Sequence, residues 1–181
     1  GLVGSEMCIR DRIIADGDSL KRQAIHVVID GSIDGGTASF IEEISREVSK
    51  EVIILIELDS YGGYLAAADR ISRSLLGTEC YVWIPPGAKA ASAAAMVALS
   101  CKKIFMGVGS VIGAASPIPR DEKTLEYVAS RFRALAQRLF DNKSLIEMVE
   151  AMVRYNRSFT FHEAVDLGLA DEANNLSLIH I

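Results

Sequence analysis

Residues 24–84 alternate between short apolar runs rich in β-branched residues and longer runs with the periodicity of an amphipathic helix. Each apolar run has the length of one buried strand, and the helical runs keep their apolar side chains on one face. A strand, a helix and a parallel strand in succession form a right-handed crossover. This order therefore predicts an α/β fold with a mostly parallel sheet flanked by helices. The predicted strands are residues 24–30, 52–58 and 79–84, and the predicted helices are residues 37–50 and 64–75.

The second half of the chain is predicted to be mainly helical. Thr160 and Glu163 have the spacing of a capping box, which predicts the start of a short helix at Thr160. Residues 13–23 are polar and weakly periodic, which indicates a loop. The remaining predicted elements are helices at residues 93–100, 121–141 and 143–155, a strand at 103–106 and a short strand at 111–113.

The composition argues against several kinds of partner. Of the 181 residues, 50% are apolar and 24% are charged, which is typical of one globular domain, and the net charge of −5 argues against a nucleic-acid partner. No group of cysteines and histidines has the spacing of a metal site, and no cofactor is expected. Cys80 and Cys101 lie at the ends of apolar runs and are interpreted as buried thiols, with a disulfide left open. No run of about 18 apolar residues occurs, so this fragment is expected to be soluble.

The two ends of the chain are excluded from these predictions. Residues 6–12 and 176–181 resemble translations of one sequencing adapter read in opposite orientations. We therefore expect a fragment of a longer protein, assembled from environmental DNA, with adapter-derived residues at 1–12 and 176–181. Residues 13–175 are predicted to form a single domain, and any membrane association of the full protein would come from segments outside this fragment.

Ser92 is the candidate nucleophile. It stands among the small residues of segment 87–96, after a strand-like run and before an apolar helical run. A serine at a strand-to-helix junction lies where the first helical N–H groups can stabilise an oxyanion. Serine is also an ordinary N-cap residue, so this segment alone does not decide between catalysis and capping.

Four short sequence blocks occur in order between residues 24 and 172. They are Asp-Ser-Tyr-Gly-Gly at 59–63, Ala-Ala-Ser-Ala at 90–93, Gly-Ser-Val-Ile-Gly-Ala-Ala at 109–115 and Glu-Ala-Val-Asp-Leu-Gly-Leu-Ala-Asp at 163–171. Together they resemble the ClpP/crotonase superfamily, and within it the membrane-associated serine proteases of the NfeD and signal-peptide-peptidase A type. The resemblance implies a spiral of repeated β-β-α and βαβ units. It also implies a serine endopeptidase that cleaves extended, rather apolar peptide segments through an acyl-enzyme at Ser92.

The relatives of this type use a Ser-Lys dyad, in which a lysine desolvated by apolar surroundings has a lowered pKa and accepts the serine proton. A His-based triad is disfavoured because no histidine lies between Ser92 and His162. Lys123 is the first candidate for the base, since it follows Ser92 by 31 residues, after a Pro-containing segment. In some archaeal relatives the dyad lysine aligns instead with Arg133, and arginine cannot act as a base at ordinary pH. Lys143 is a third candidate.

The resemblance also implies the other site residues and the partners. The oxyanion hole would come from the backbone N–H groups of Gly63 and Ala93, and Gly62 and Tyr61 would contact the substrate. Lys89 is expected to face solvent or the mouth of the cleft. The expected partners are a peptide or membrane-protein substrate and further copies of the chain in a homo-oligomer. The full-length protein would be bacterial or archaeal and membrane-associated or periplasmic.

Two alternative functions remain open at this point. A crotonase-type enzyme would bind acyl-CoA thioesters with carboxylate bases, but no pair of acidic residues is evident at the Ser92 site. A catalytically decayed scaffold or interaction domain is the second alternative. It is favoured if only Arg133 can reach the Ser92 hydroxyl, whereas reach by Lys123 or Lys143 favours the peptidase.

Overall fold

The computed structural model describes residues 5–14 and 22–179. These residues form an α/β fold with nine strands and six α-helices, followed by a 3₁₀ turn at Leu176–Leu178. The strands are β1 (Ser5–Ile14), β2 (Arg22–Ile33), β3 (Ile53–Gly63), β4 (Glu79–Ile84), β5 (Lys89–Ala91), β6 (Lys103–Met106), β7 (Val111–Gly113), β8 (Ser158–Thr160) and β9 (Asp171–Glu172). The helices are α1 (Gly35–Glu47), α2 (Leu65–Leu75), α3 (Ala93–Leu99), α4 (Glu122–Leu139), α5 (Lys143–Arg154) and α6 (Phe161–Asp166).

The sheet forks at β3. One edge of β3 pairs with β2 in parallel, and the other edge pairs first with β4, up to the pair Glu57 and Trp83. Further along the same edge, Ser60 pairs with Ala90 of β5. From this fork β4, β6 and β9 continue one branch, and β5, β7 and β8 continue the other. Pairing is parallel except between β1 and β2 and between β7 and β8, which confirms the predicted mostly parallel sheet.

The helix α3 lies inside the core. All seven of its residues are buried, and it packs against β3, α2 and α4. A helix that is apolar on every side is stable only when it is enclosed in this way. The residue at its N-terminus, Ser92, is therefore held by a rigid element.

The other face of the sheet carries a second, smaller apolar cluster of Leu55, Trp83 and Phe105. The segment after β9 covers it with Ala173 and Ile179, and the Trp83 indole N–H donates to the Ala173 carbonyl at 2.8 Å. Ile179 belongs to the stretch that the sequence analysis excluded. The predicted domain boundaries stay a prediction.

Several predicted elements are wrong in their limits. The predicted loop at residues 13–23 is wrong at both ends, because β1 extends to Ile14 and β2 begins at Arg22, while residues 15–21 lie outside the described residues. The strand predicted to end at residue 58 continues through the two glycines to Gly63. The strands β5, β8 and β9 have at most three residues each and carry no periodic signal. The capping box at Thr160 is confirmed.

Cys80 and Cys101 form a disulfide, so their interpretation as free buried thiols is wrong. Their Cα atoms are 4.9 Å apart, within the range that a disulfide spans. The bond joins the start of β4 to the segment that follows α3. The Arg138 guanidinium donates to the carbonyls of Leu99, Ser100 and Cys101, so the C-terminal end of α3 is fixed twice. Within the described ranges, no helix combines the length and apolar character that crossing a membrane requires.

Candidate active site

Ser92 occupies the single residue between β5 and α3. Its φ of 55° and ψ of −123° lie in a region that residues other than glycine rarely adopt, and such strain concentrates at functional sites. Its backbone N–H donates to the Gly113 carbonyl at 2.9 Å, which fixes the position of the residue. Its side chain makes no capping hydrogen bond with α3. Capping therefore does not explain this serine.

The C-terminal end of β3, formed by Gly62 and Gly63, lies beside Ser92. A Cβ atom added to Gly62 would lie 2.7 Å from the Ser92 Cβ and 3.0 Å from the Ala93 nitrogen, so only glycine allows this approach. A Cβ atom added to Gly63 would overlap the Ile33 carbonyl. Gly63, Ser92 and Ala93 line one pocket, and the N–H of Ala93 has no acceptor within the helix because Ala93 is the first residue of α3. The structure therefore places the candidate nucleophile and both predicted oxyanion donors in one pocket.

The pocket beside Ser92 has a volume of about 230 Å³ and mainly apolar walls. Tyr64 and Ile118 stand at its edge, with 70% and 99% of their surface exposed. Lysine, arginine, histidine and carboxylate side chains are absent from its lining in the described part of the chain. The pocket is thus suited to an uncharged, apolar side chain. Its apolar walls are formed by Leu65, Met96, Ala115, Pro117, Val128 and Phe132.

Lys123 and Lys143, the two lysine candidates for the base, differ in their relation to this pocket. Lys123 is exposed in the first turn of α4, and the next residue, Thr124, lines the pocket. Lys143 begins α5, has 91% of its side chain exposed and lies near Glu147 at 3.8 Å. Neither lysine lines the pocket itself, but only Lys123 adjoins a residue that does.

Arg133 is held by an ion pair away from the pocket lining. Its guanidinium donates to both carboxylate oxygens of Glu150, at 2.7 and 2.8 Å, and lies 3.6 Å from Glu126. The hydrogen bonds to Glu150 raise the pKa of Arg133 above its ordinary value. Arg133 therefore joins α4 to α5 and stays protonated.

Lys89, which was expected to face solvent or the mouth of the cleft, pairs with Asp59. Its ammonium group and its backbone N–H both donate to one Asp59 oxygen, at 2.7 and 3.2 Å, and the ammonium lies 4.3 Å from the centre of the Tyr61 ring. The hydrogen bond that Lys89 donates to the Asp59 carboxylate raises the pKa of Lys89, which disfavours Lys89 as a base. Tyr61 is 80% exposed and outside the lining of the pocket, so its contact with substrate stays a prediction. The sequence analysis missed the Asp59 contact, although a polar residue at the end of a buried strand was a signal for it.

Comparison with known proteins gives one curated relative. No family model matches the chain. The membrane-bound protease PH1510 of Pyrococcus horikoshii is 33% identical in an alignment 142 positions long, which covers 71% of this chain and 31% of the relative. The chain thus spans about a third of the length of the curated relative that it matches.

Solved structures show the same architecture. The 1510-N membrane-bound stomatin-specific protease, as a serine-to-alanine mutant, superposes with a TM-score of 0.74 at 26% identity, covering 85% of this chain and 79% of that one. A lysine-to-alanine mutant of 1510-N in complex with a substrate peptide gives a TM-score of 0.72 at 25% identity, over 85% and 75% of the two chains. ClpP1 from Listeria monocytogenes gives 0.69 at 20% identity over 84% of this chain and 92% of that one, a likeness of fold alone. The chain has the ClpP-like fold.

The number of residues between the replaced serine and lysine of 1510-N indicates which residue of this ClpP-like chain corresponds to that lysine. The serine and the lysine that are replaced in the two 1510-N mutants are 41 residues apart in that protein. Counting 41 residues from Ser92 in this ClpP-like chain leads to Arg133. If the spacing is kept, an arginine in an ion pair occupies the position of that lysine.

Proposed function

We propose that this domain is a serine peptidase that cleaves extended peptide segments, with an apolar side chain of the substrate seated in the pocket beside Ser92. The observation that carries the proposal is a strained serine, whose side chain makes no capping hydrogen bond, in one pocket with Gly63 and Ala93. The names of the relatives support it. The curated relative and 1510-N are both named as proteases, and a third neighbour is named ClpP1.

The proposed reaction proceeds through an ester at Ser92. The Ser92 oxygen attacks the substrate carbonyl while a base takes its proton, and the carbonyl oxygen becomes negative. The N–H groups of Gly63 and Ala93 donate to that oxygen, which stabilises the charge as it develops. The base then gives its proton to the leaving amine, and a water molecule hydrolyses the acyl-enzyme by the same steps in reverse order.

Lys123 is the proposed base. It adjoins Thr124 of the pocket wall and follows the irregular segment 114–121, and its four-carbon stem is flexible. A bound apolar peptide would exclude water from the surroundings of Lys123, which is the apolar environment that the base of a Ser-Lys dyad needs. Binding of substrate would thus complete the dyad.

The proposed substrate is a peptide segment of a membrane protein. One solved neighbour is named as specific for stomatin, and another is described in complex with a substrate peptide. The Cys80–Cys101 disulfide favours an oxidising compartment such as the periplasm, because cytosolic disulfides are rare. We further propose that the full protein is membrane-associated and homo-oligomeric, in keeping with the membrane-bound curated relative.

A fluorophosphonate probe tests the proposal on the full chain. We expect one adduct per chain at Ser92, read by intact mass and peptide mapping, and no adduct in Ser92→Ala. Lys123→Ala should slow labelling by about 100-fold or more, because general-base catalysis contributes about that much. Lys143→Ala is the matched control, since it removes an exposed lysine at the start of the other long helix, and it should label at the wild-type rate. An adduct at another serine would contradict the proposal.

A decayed, peptide-binding domain is the second candidate. It is favoured by the position of Arg133 and by the absence of a charged side chain from the pocket lining in the described part of the chain. A folded wild type that is not labelled, together with labelling of Arg133→Lys, would support it. A labelled wild type would contradict it.

A further inference from the structure

Ser60 is a buried polar residue beside the candidate site that the proposed reaction does not use. It is 1% exposed and lies in β3 at the fork of the sheet, paired with Ala90 of β5. Two residues after it comes Gly62, which lies against Ser92 at the C-terminal end of β3. A buried hydroxyl needs hydrogen-bond partners, so its partners show what it holds in place.

The Ser60 hydroxyl links two backbone segments. It donates to the Gly31 carbonyl and accepts the backbone N–H of Gly62 at 3.0 Å. A hydroxyl carries one proton, so the more distant Gly62 carbonyl, at 3.5 Å, is not its main acceptor. Gly31 lies at a β-bulge, where the register between β2 and β3 shifts between Asp30 and Ser32. A bulge interrupts the regular ladder, and here the Ser60 side chain adds hydrogen bonds across the interruption.

The two glycines after Ser60 have different surroundings. Gly62 is buried and its N–H is bonded to Ser60, whereas Gly63 is exposed and lines the pocket. Gly62 also lies so close to the Ser92 Cβ atom that a side chain on residue 62 would not fit. A shift of the Gly62 backbone would therefore move the Gly63 N–H relative to Ser92 and Ala93.

We propose that Ser60 is a positioning residue for the oxyanion hole: its hydroxyl fixes the Gly62–Gly63 backbone so that the Gly63 N–H aims at the same point as the Ala93 N–H. This inference rests on the proposed peptidase function. Without the hydroxyl, the Gly31 carbonyl and the Gly62 N–H each lose one hydrogen-bond partner, and the Gly62–Gly63 backbone is held less firmly.

The test compares three variants of the full chain. Ser60→Ala removes the hydroxyl, and Ser60→Cys keeps its volume but offers a much weaker donor and acceptor. Ser110→Ala is the matched control, because Ser110 is also fully buried and donates to a backbone carbonyl, that of Gly107, at 2.7 Å. For each variant we would measure the rate of fluorophosphonate labelling, and kcat and KM on a peptide whose cleavage by the wild type has been established.

We expect Ser60→Ala and Ser60→Cys to lower the labelling rate and kcat by about 30- to 300-fold, with KM changed by less than about threefold, since a misaimed oxyanion donor affects mainly the transition state. Ser110→Ala should keep kcat within about threefold. Wild-type kcat in Ser60→Cys, or a loss of kcat in Ser110→Ala equal to that in the Ser60 variants, would overturn the inference. If Ser60→Ala does not fold, Ser60→Cys alone decides. A wild type that is not labelled at Ser92 refutes the peptidase proposal itself, which separates the two failures.

Discussion

The Cys80–Cys101 disulfide gives a stability prediction that the structure makes quantitative. The two cysteines are 21 residues apart in sequence, and the bond therefore closes a loop of moderate size in the unfolded chain. For a loop of this length the chain-entropy model gives about 3 kcal/mol of stabilisation at 25 °C. For a domain of 150–250 residues, about 3 kcal/mol corresponds to a Tm shift of roughly 6–12 °C.

The disulfide can be removed by reduction or by the double variant Cys80→Ala/Cys101→Ala. Both are compared in a Cys8→Ser background, which removes the third cysteine. Urea unfolding can be followed by the fluorescence of Trp83, the single tryptophan, which is 8% exposed in the smaller apolar cluster. We expect the free energy of unfolding to fall by about 3 kcal/mol on reduction, with a larger m-value because the unfolded chain expands. The double variant should lose somewhat more, because it also leaves small cavities.

Two results would refute this reasoning. One is the finding of two alkylatable thiols when the Cys8→Ser protein is unfolded without reductant. The other is an unfolding midpoint that does not change on reduction. The oxidised Cys8→Ser protein is the control for both measurements.

Three further predictions concern the site and the helix pair beneath it. Gly63→Ala places a methyl group against the Ile33 carbonyl and should lower the rate of Ser92 labelling by about 100-fold or more, measured by timed intact mass on a sample whose circular dichroism is unchanged. Phe132→Leu enlarges the pocket, should cost about 1–2 kcal/mol in urea unfolding, and should shift cleavage of a peptide library towards bulkier apolar side chains. Hydrogen bonds from Arg133 hold the pKa of Glu150 at about 2, below its ordinary 4.5, so its stabilising contribution is complete above pH 4.5 and is lost as the pH falls towards 2. Unfolding curves between pH 6 and pH 2 should therefore show a smaller loss of stability in Glu150→Gln than in the wild type.

The main elements of the fold were predictable from local patterns. Residues 79–84 and 103–106 are strands as predicted, and the helix start at Thr160 is confirmed together with its capping box. These predictions succeed because the periodicity of buried residues and the chemistry of helix caps act over a few neighbouring positions. The likeness to ClpP-like proteins likewise came from four short blocks in order.

The candidate site was predictable only in part. The sequence identified Ser92 together with Gly63 and Ala93, and these three residues do line one pocket. It ranked Lys123 ahead of Lys143 as the base but could not place either relative to Ser92, since that position depends on how α4 and α5 pack. It also missed β5, whose three residues pair with β3 and β7 through contacts distant in sequence.

The sequence by itself determined the parallel α/β order, the serine at a strand-to-helix junction and the two glycines that meet it, because these follow from local residue preferences. Only the tertiary structure decided the fork of the sheet at Ser60, the disulfide between Cys80 and Cys101 and the ion pair between Arg133 and Glu150. Each of these joins residues that are at least 17 positions apart, as in the Arg133–Glu150 pair. Such contacts form only when the packed core brings distant segments together, so local preference carries no information about them.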